Sequence, residues 1–281
     1  MARLIISDIH ADIDSLNAII EIIEDPSFTA RYGDVTGIIN LGDAVGRGFH
    51  PIEVIERLLE LSDEKEVISV VGNHDEAFLS NQEISGSDIA SIEAHSELRE
   101  DQRCMRFLKS LPQHSIDHDD RILAVHGGPI EPSTISDGAS DDRLYSHTWQ
   151  RISDAGNDFL DDTAGYHYTP EHAFAHVDAS FSGGFLILCG HEHYEACYSA
   201  IGGKIRDILK DMIRRMEVFS GRSVRVRSIM RQEDVSYLVR VGIAGPEGFS
   251  ESAEFGTAVS HFGLLWEHKS VNWVGLCSFE M

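Results

Sequence analysis

Phe185-Leu186-Ile187-Leu188-Cys189-Gly190-His191-Glu192-His193 is five apolar residues, a glycine, and two histidines one residue apart. A short apolar run closed by glycine reads as a buried strand. A His-x-His at one strand end is by itself more often a satisfied loop than a ligand pair. Four other stretches change that reading. Asp8 and His10 follow Leu4-Ile5-Ile6, and Gly42-Asp43 follows Ile38-Ile39-Asn40-Leu41. Gly72-Asn73-His74-Asp75 follows Val67-Ile68-Ser69-Val70-Val71, and His126-Gly127-Gly128 follows Ile122-Leu123-Ala124-Val125. Five apolar runs thus end in residue types that bind metal, and ligands of open α/β sheets collect at the carboxyl ends of strands. Gly42, Gly127 and Gly190 suit turns and close backbone approach.

The spacing between these runs sets the fold class. Ser15 to Ile23 presents a broad apolar face that predicts a helix, with Asp12 or Asp14 as its cap. Ile52, Val54, Ile55, Leu58 and Leu59 predict a second helix, and Pro51 suits its first turn. Strand, helix, strand, helix and strand 67–71 form a βαβαβ pattern, which implies a parallel sheet. Residues 76–111 read as mostly helical, with a polar interruption at Ser85-Gly86-Ser87 and an end at Pro112. The long polar segment 129–184 is expected to cover one side of the site, with helix around 141–160 and 170–179. Ile205, Ile208, Leu209, Met212, Ile213 and Met216 recur at helical spacing and predict an amphipathic helix over 204–219. Strands near 222–229 and 236–243, with Phe262-Gly263-Leu264-Leu265-Trp266, are expected to supply a second sheet.

The 281 residues suffice for one large domain with a buried core, so 1–281 is read as a single domain. It carries two insert or cap segments, 129–184 and 204–231. Hydrophobic residues make up 42%, and no apolar run approaches the roughly 18 residues of a membrane span. The chain enters a strand directly after Met1-Ala2-Arg3, which leaves no room for a signal peptide. Cys104, Cys189, Cys197 and Cys277 show neither close pairing nor zinc-type spacing, so reduced thiols and a cytoplasmic location are expected. Basic residues number 23 and acidic ones 47, a net charge of −24. That argues against tight nonspecific nucleic-acid binding, which needs Lys and Arg against phosphate. Anionic substrates remain admissible, because two divalent ions bring about four positive charges against about two from Asp8 and Asp43. Nine of the basic residues lie within 204–231, where they suit a solvated face, a homo-oligomer contact or a clamp on substrate.

The order Asp-x-His, Gly-Asp, Gly-Asn-His-Asp, His, Gly-His-x-His resembles the calcineurin-like metallophosphoesterases, over residues 4–193 and more loosely the C-terminal strands. The resemblance implies a four-layer α/β/β/α sandwich of two mixed sheets flanked by helices, with a dinuclear site at one sheet edge. It implies that Asp43 bridges two ions, that Asp8, His10 and His193 complete one site, and that Asn73, His126 and His191 complete the other. This mixed oxygen and imidazole set suits Mn, Fe, Zn, Co or Ni and not a calcium cage. The implied reaction is attack of a metal-bound hydroxide on a phosphodiester or phosphomonoester of a small molecule or nucleotide. His74 looks like the general acid, Asp75 or another carboxylate its orienting partner, and Arg47 a phosphate contact.

Gly42-Asp43-Ala44-Val45-Gly46-Arg47-Gly48, followed by Pro51 and a helix, looks most like the small bacterial and archaeal phosphodiesterase branch. Arg47 is also similar to the dinucleoside polyphosphate hydrolases and serine/threonine protein phosphatases. The protein phosphatases, however, carry Asp where Gly46 stands. Many relatives have Gly-Asn where this chain has Ala11-Asp12, and the phosphodiesterase branch often has Asn-Pro-Gly-Ser where it has Arg240-Val241-Gly242-Ile243. A non-catalytic scaffold of the same fold would be expected to lose ligands, and here every ligand position is filled. Of the remaining histidines, His95, His114, His118 and His268 read as surface residues, and His147 and His167 are no more than candidates for the pocket lining.

Overall fold

The computed structural model describes residues 1–84, 86–136, 138, 141–181, 183–247 and 258–281. The chain begins β1 (Ala2–Ile6), α1 (Ile13–Glu24), α2 (Pro26–Tyr32), β2 (Val35–Asn40), α3 (Pro51–Glu64) and β3 (Glu66–Ser69). It continues α4 (Asn73–Leu79), α5 (Ile89–Glu100), α6 (Gln102–Ser110), β4 (His114–Asp117) and β5 (Ile122–Val125). Then come β6 (Arg151–Ile152), β7 (Phe159–Asp161), β8 (Gly165–Tyr168), α7 (Pro170–Phe181) and β9 (Leu186–Cys189). It closes with β10 (Ala196–Ile201), β11 (Lys204–Asp207), β12 (Ile213–Phe219), β13 (Arg222–Met230), β14 (Ser236–Arg240), β15 (Val259–His268) and β16 (Val271–Glu280).

Two mixed sheets carry the molecule, in the orders β12-β13-β16-β15-β1-β2-β3 and β11-β10-β14-β9-β5-β4. Strands β1, β2 and β3 run parallel, as do β5, β9 and β14. Successive side chains of a strand point to opposite faces, and here both faces are dry. In β1, Leu4 and Ile6 pack against Leu16 and Ile19 of α1, while Ile5 turns to the other sheet. In β9, Leu186 and Leu188 face that same inter-sheet core, while Ile187 and Cys189 pack outward against Ala173, Phe174 and Val177 of α7. Helix, sheet, sheet, helix is therefore the layer order. Asp12 caps α1 by accepting the Ser15 N–H at 2.9 Å, and Pro51 opens α3.

Three expectations are corrected. Residues 204–219 form no helix. Gly202 and Gly203, both with positive φ, turn β10 back into β11, and β12 pairs residue for residue with β13. Ile208 and Met212 are buried in the turn between β11 and β12, closing the inter-sheet core from a non-helical segment that happens to have helical spacing. The 141–160 region holds a short 3-10 turn at Asp142–Tyr145 and strand β6, and β7 begins at its end; with β8 these strands make a small third sheet, β6-β8-β7. The predicted 170–179 helix is present as α7. Finally, of the three strands expected in the second sheet, β13 and β15 belong to the sheet of β1, and β14 joins that of β9. Of the predicted interruption after α4, Ser85 lies outside the described residues. Among the described residues no helix is long and apolar enough to cross a membrane.

Candidate metal centre

Parallel strands bring their carboxyl-end loops to one edge, and backbone hydrogen bonds lock those loops together. Asp8 N–H donates to Gly42 O at 3.0 Å, His10 N–H to Asp43 O at 2.9 Å, and Gly190 N–H to His126 O at 2.7 Å. The His191 N–H donates to Asp8 Oδ2 at 3.0 Å, joining the two sheets. Asp8, His10, Ala11, Asp43, Arg47, His191 and His193 all have φ between 50° and 69°. Non-glycine residues rarely adopt this left-handed region, and such strain concentrates at functional sites.

The structure brings the seven predicted ligand residues together. His10 Nε2 and His193 Nε2 are 3.2 Å apart, and Asp8 Oδ1 lies 3.3 Å from His193 Nε2. On the other side His126 Nε2 is 3.0 Å from Asn73 Oδ1 and 3.3 Å from Asp43 Oδ2. Asp43 Oδ1 accepts the His74 N–H at 2.8 Å, so Oδ2 alone faces both groups, 3.9 Å from His10 Nε2. Asp8, His10 and His193 form one set whose ligand atoms lie close enough for an ion, and Asp43, His126 and His191 form another. His74 also lies within such reach of His10 and Asp43. These donors fit metal. His191 Nε2 is buried without a hydrogen-bond partner, and His126 Nδ1 lies 2.8 Å from Leu41 O, which makes it the donor and turns Nε2 into the centre.

The charges are tightly coupled. Burial alone would raise Asp8 and Asp43, but His193 and His126 hold the Asp8 carboxyl, and His126 and His74 the Asp43 carboxyl, below their ordinary range. Burial alone would lower His126, but the Asp43 carboxylate pushes it up to about 9. His74, buried and near Arg47, falls to about 4.

Asp75 does not orient His74. Its carboxylate accepts the N–H groups of Gly72, Asp43 and Val45 at 2.9, 2.9 and 3.1 Å, stapling the Asp43 loop to the start of α4. His74 Nδ1 is buried with no hydrogen-bond partner, and a Cβ on Gly46 would stand 2.5 Å from it. No aspartate can stand at 46 without displacing that ring. His95, expected at the surface, is buried. Its Nε2 accepts the Gly46 N–H at 2.8 Å while Nδ1 donates to Ser91 O at 2.6 Å. Glu192 and Arg240 were also missed. Arg240 pairs with the Glu192 carboxylate and donates from Nε to Tyr194 O at 2.7 Å, bracing the loop that carries His191 and His193. His147 is buried with Nδ1 2.9 Å from Gly128 O, and His114 and His118 are exposed as expected. The acid inside His191-Glu192-His193 was the sequence signal for a supporting pair, but its partner Arg240 is 48 residues away.

The family profile of the calcineurin-like phosphoesterases matches residues 1–195, and the chain belongs to that family. An uncharacterised protein of Methanocaldococcus jannaschii is 26% identical over 196 residues, which span 67% of this chain and 61% of that one, so the match covers less than two thirds of the relative. The crystal structure of a metallophosphoesterase from Sphaerobacter thermophilus superposes with a TM-score of 0.57 at 19% identity, over 100% of this chain and 88% of the other. A hypothetical protein of Pyrococcus horikoshii gives 0.54 at 16% identity, over 97% and 86%. The shared architecture is the two-sheet metallophosphoesterase fold.

Proposed function

We propose that this chain hydrolyses phosphoesters with two metal ions, one held by Asp8, His10, Asp43 and His193, the other by Asp43, Asn73, His126 and His191. The observation that carries this reading is Asp43 Oδ2, which faces His10 on one side and His126 on the other. Bound ions would polarise the phosphoryl oxygens and make water acidic enough to attack near neutral pH. The chain's own residues do the rest. Asp75 and the interlocked loops fix Asp43, and Arg47 takes non-bridging phosphate oxygens. His74 delivers the proton to the leaving oxygen, and the negative charge of a bound phosphate offsets the burial that holds its pKa down in the protein alone. Mn, Fe, Zn, Co and Ni all suit the donor set.

Phosphodiesters are favoured over monoesters. The space at Gly46 argues against the protein-phosphatase reading, because the supporting aspartate of that branch has no room beside His74. The acidic surface supports a small-molecule or nucleotide substrate over bulk nucleic acid. Four buried thiols support a reducing, cytoplasmic setting. Residues 204–231 supply edge strand β12, where Ile213, Met216 and Val218 are exposed, and this supports association of two copies along that edge.

Asp43→Asn should lose both ions and nearly all turnover of bis(p-nitrophenyl) phosphate, as read by elemental analysis and a chromogenic assay. Full activity of wild-type protein in excess chelator would overturn the proposal.

A further inference from the structure

Residues 146–150, between β5 and β6, reach all three loops that carry Asn73, His126 and His191. His147 O accepts the N–H groups of Gly127 and Gly128 at 2.8 and 3.0 Å, which fixes the chain directly after His126. The two segments are in backbone contact, since a Cβ on Gly127 would stand 2.4 Å from Gln150 O. Gln150 is fully buried, and it accepts the Ile130 N–H at 2.9 Å while donating to Ile130 O at 2.6 Å and Tyr145 O at 2.9 Å. Trp149 places its ring edge-on to His191, with centroids 6.2 Å apart. Thr148 reaches the third loop. It is fully buried, and its hydroxyl donates to Glu76 Oε2 at 2.6 Å. Its one proton is spent there, so at 2.8 Å it accepts from the Ser146 hydroxyl.

The bond to Glu76 matters because of where Glu76 lies. It follows Asn73 by three residues on α4, so one helical turn separates its carboxylate from the amide that faces His126. Its other oxygen is held by Gln113 Nε2. Helix α4 has seven residues, too few to be stable without outside contacts. Asn73 offers a neutral amide oxygen, so placement and not charge decides how well it can hold an ion. Groups that orient a ligand in this way are typically worth about 10–100-fold in metal affinity. The other ligand set has a different brace. Asp8 O accepts the Gly245 N–H at 3.0 Å, and His193 O accepts the Ile243 N–H at 3.2 Å, both from the chain that follows β14.

We propose that Thr148 is a positioning residue for the ion held by Asn73, His126 and His191, and that the strap 146–150 sets the affinity of this half of the centre separately from the other half. The inference rests on the two-ion reading. The hydroxyl touches neither ion nor substrate and acts through Glu76. Without it Glu76 Oε2 loses its donor, α4 gains freedom to turn, and Asn73 leaves its alignment with His126 and His191. Asp8 and His193 stay where the chain after β14 holds them.

The probe is Mn²⁺ itself, titrated into metal-free protein and read by calorimetry. Two backgrounds separate the ions. His193→Ala removes a donor from the first set and leaves the second whole, and His191→Ala does the reverse. Adding Thr148→Val should weaken the remaining ion about tenfold or more in the His193→Ala background and by less than about twofold in the His191→Ala background. Thr148→Ser keeps the hydroxyl and should restore binding. Glu76→Gln keeps an acceptor for that hydroxyl but gives up the charge, so it should show a smaller loss in the same background, and it serves in place of Thr148→Val should that protein not fold. Equal weakening in both backgrounds, no weakening in either, or no recovery with Thr148→Ser would each overturn the role given to Thr148. Wild-type protein that takes up fewer than two ions would sink the two-ion reading and this proposal with it, whereas two ions in wild type with no effect of Thr148→Val would sink the proposal alone.

Discussion

Replacing Gly190 with alanine tests how tightly the metal loop is held. The φ of Gly190 lies outside the left-handed region, so only space is at issue. A methyl there would stand 1.8 Å from Ser7 Oγ, 2.8 Å from Ser7 Cβ and 2.5 Å from Asp8 Oδ2, where ordinary contact begins at 3.4 Å. Ser7 and Asp8 are fully buried, and they cannot move independently. Ser7 Oγ donates to Asp8 Oδ2 at 2.5 Å, and the same oxygen accepts the His191 N–H. Overpacking of this kind costs about 1–3 kcal/mol, and losing the buried bond to His191 about as much again, so Gly190→Ala should be destabilised by roughly 2–6 kcal/mol. Moving Asp8 by about 1 Å should cost on the order of 10²-fold in turnover. Urea unfolding of metal-free protein reads the first quantity and hydrolysis of bis(p-nitrophenyl) phosphate the second. Gly183→Ala is the control, since its methyl would meet nothing nearer than Asp178 Oδ1 at 4.0 Å. Adding Ser7→Ala removes the worst contact but not the one to Asp8, so the double variant should regain stability more than activity. A Gly190→Ala protein within about 0.5 kcal/mol and twofold of wild type would refute the reasoning.

Three further outcomes are expected. His95→Leu strips the acceptor from the Gly46 N–H and should raise KM more than it lowers kcat, with about 1–3 kcal/mol of stability lost, while His95→Gln, which can still accept, should restore most of both; steady-state kinetics on the two variants check this. His74→Asn should keep both metals and much activity on nitrophenyl esters, whose leaving group needs no proton, but lose about 10²–10⁴-fold on alkyl esters; an equal loss on both would reassign His74 to holding phosphate. The metal-free protein should be most stable between the pKa values of its two opposed histidines. His126 is raised to about 9, so its contribution is complete below the unfolded value of 6.5 and lost as pH climbs through 9. His74 is lowered to about 4, so stability falls as pH drops from 6.5 toward 4. Chelated protein melted across pH 4–10 should show both flanks, and His126→Asn should flatten the alkaline one.

The sequence by itself determined the site and the strands that bear it. Strands β1, β2, β5 and β9 are buried on both faces, so they had to be written as unbroken apolar runs, and their ligands had to follow at the same end of each run. The helices α1, α3 and α7 were legible for a similar reason, since each packs one continuous apolar stripe against a sheet. Only the tertiary structure decided the rest. Residues 204–219 carry apolar residues at helical spacing, yet they became a turn and edge strands because β13 offers β12 a full ladder of hydrogen bonds from distant sequence. The choice of sheet for β13 and β15 is likewise a long-range pairing that no local pattern encodes. His95 looks like any polar residue on a helix until Gly46 is brought against it. The left-handed backbone of Asp8, His10 and Asp43 is absent from local preference altogether, because it is held only by bonds between loops that meet when the two sheets close on each other.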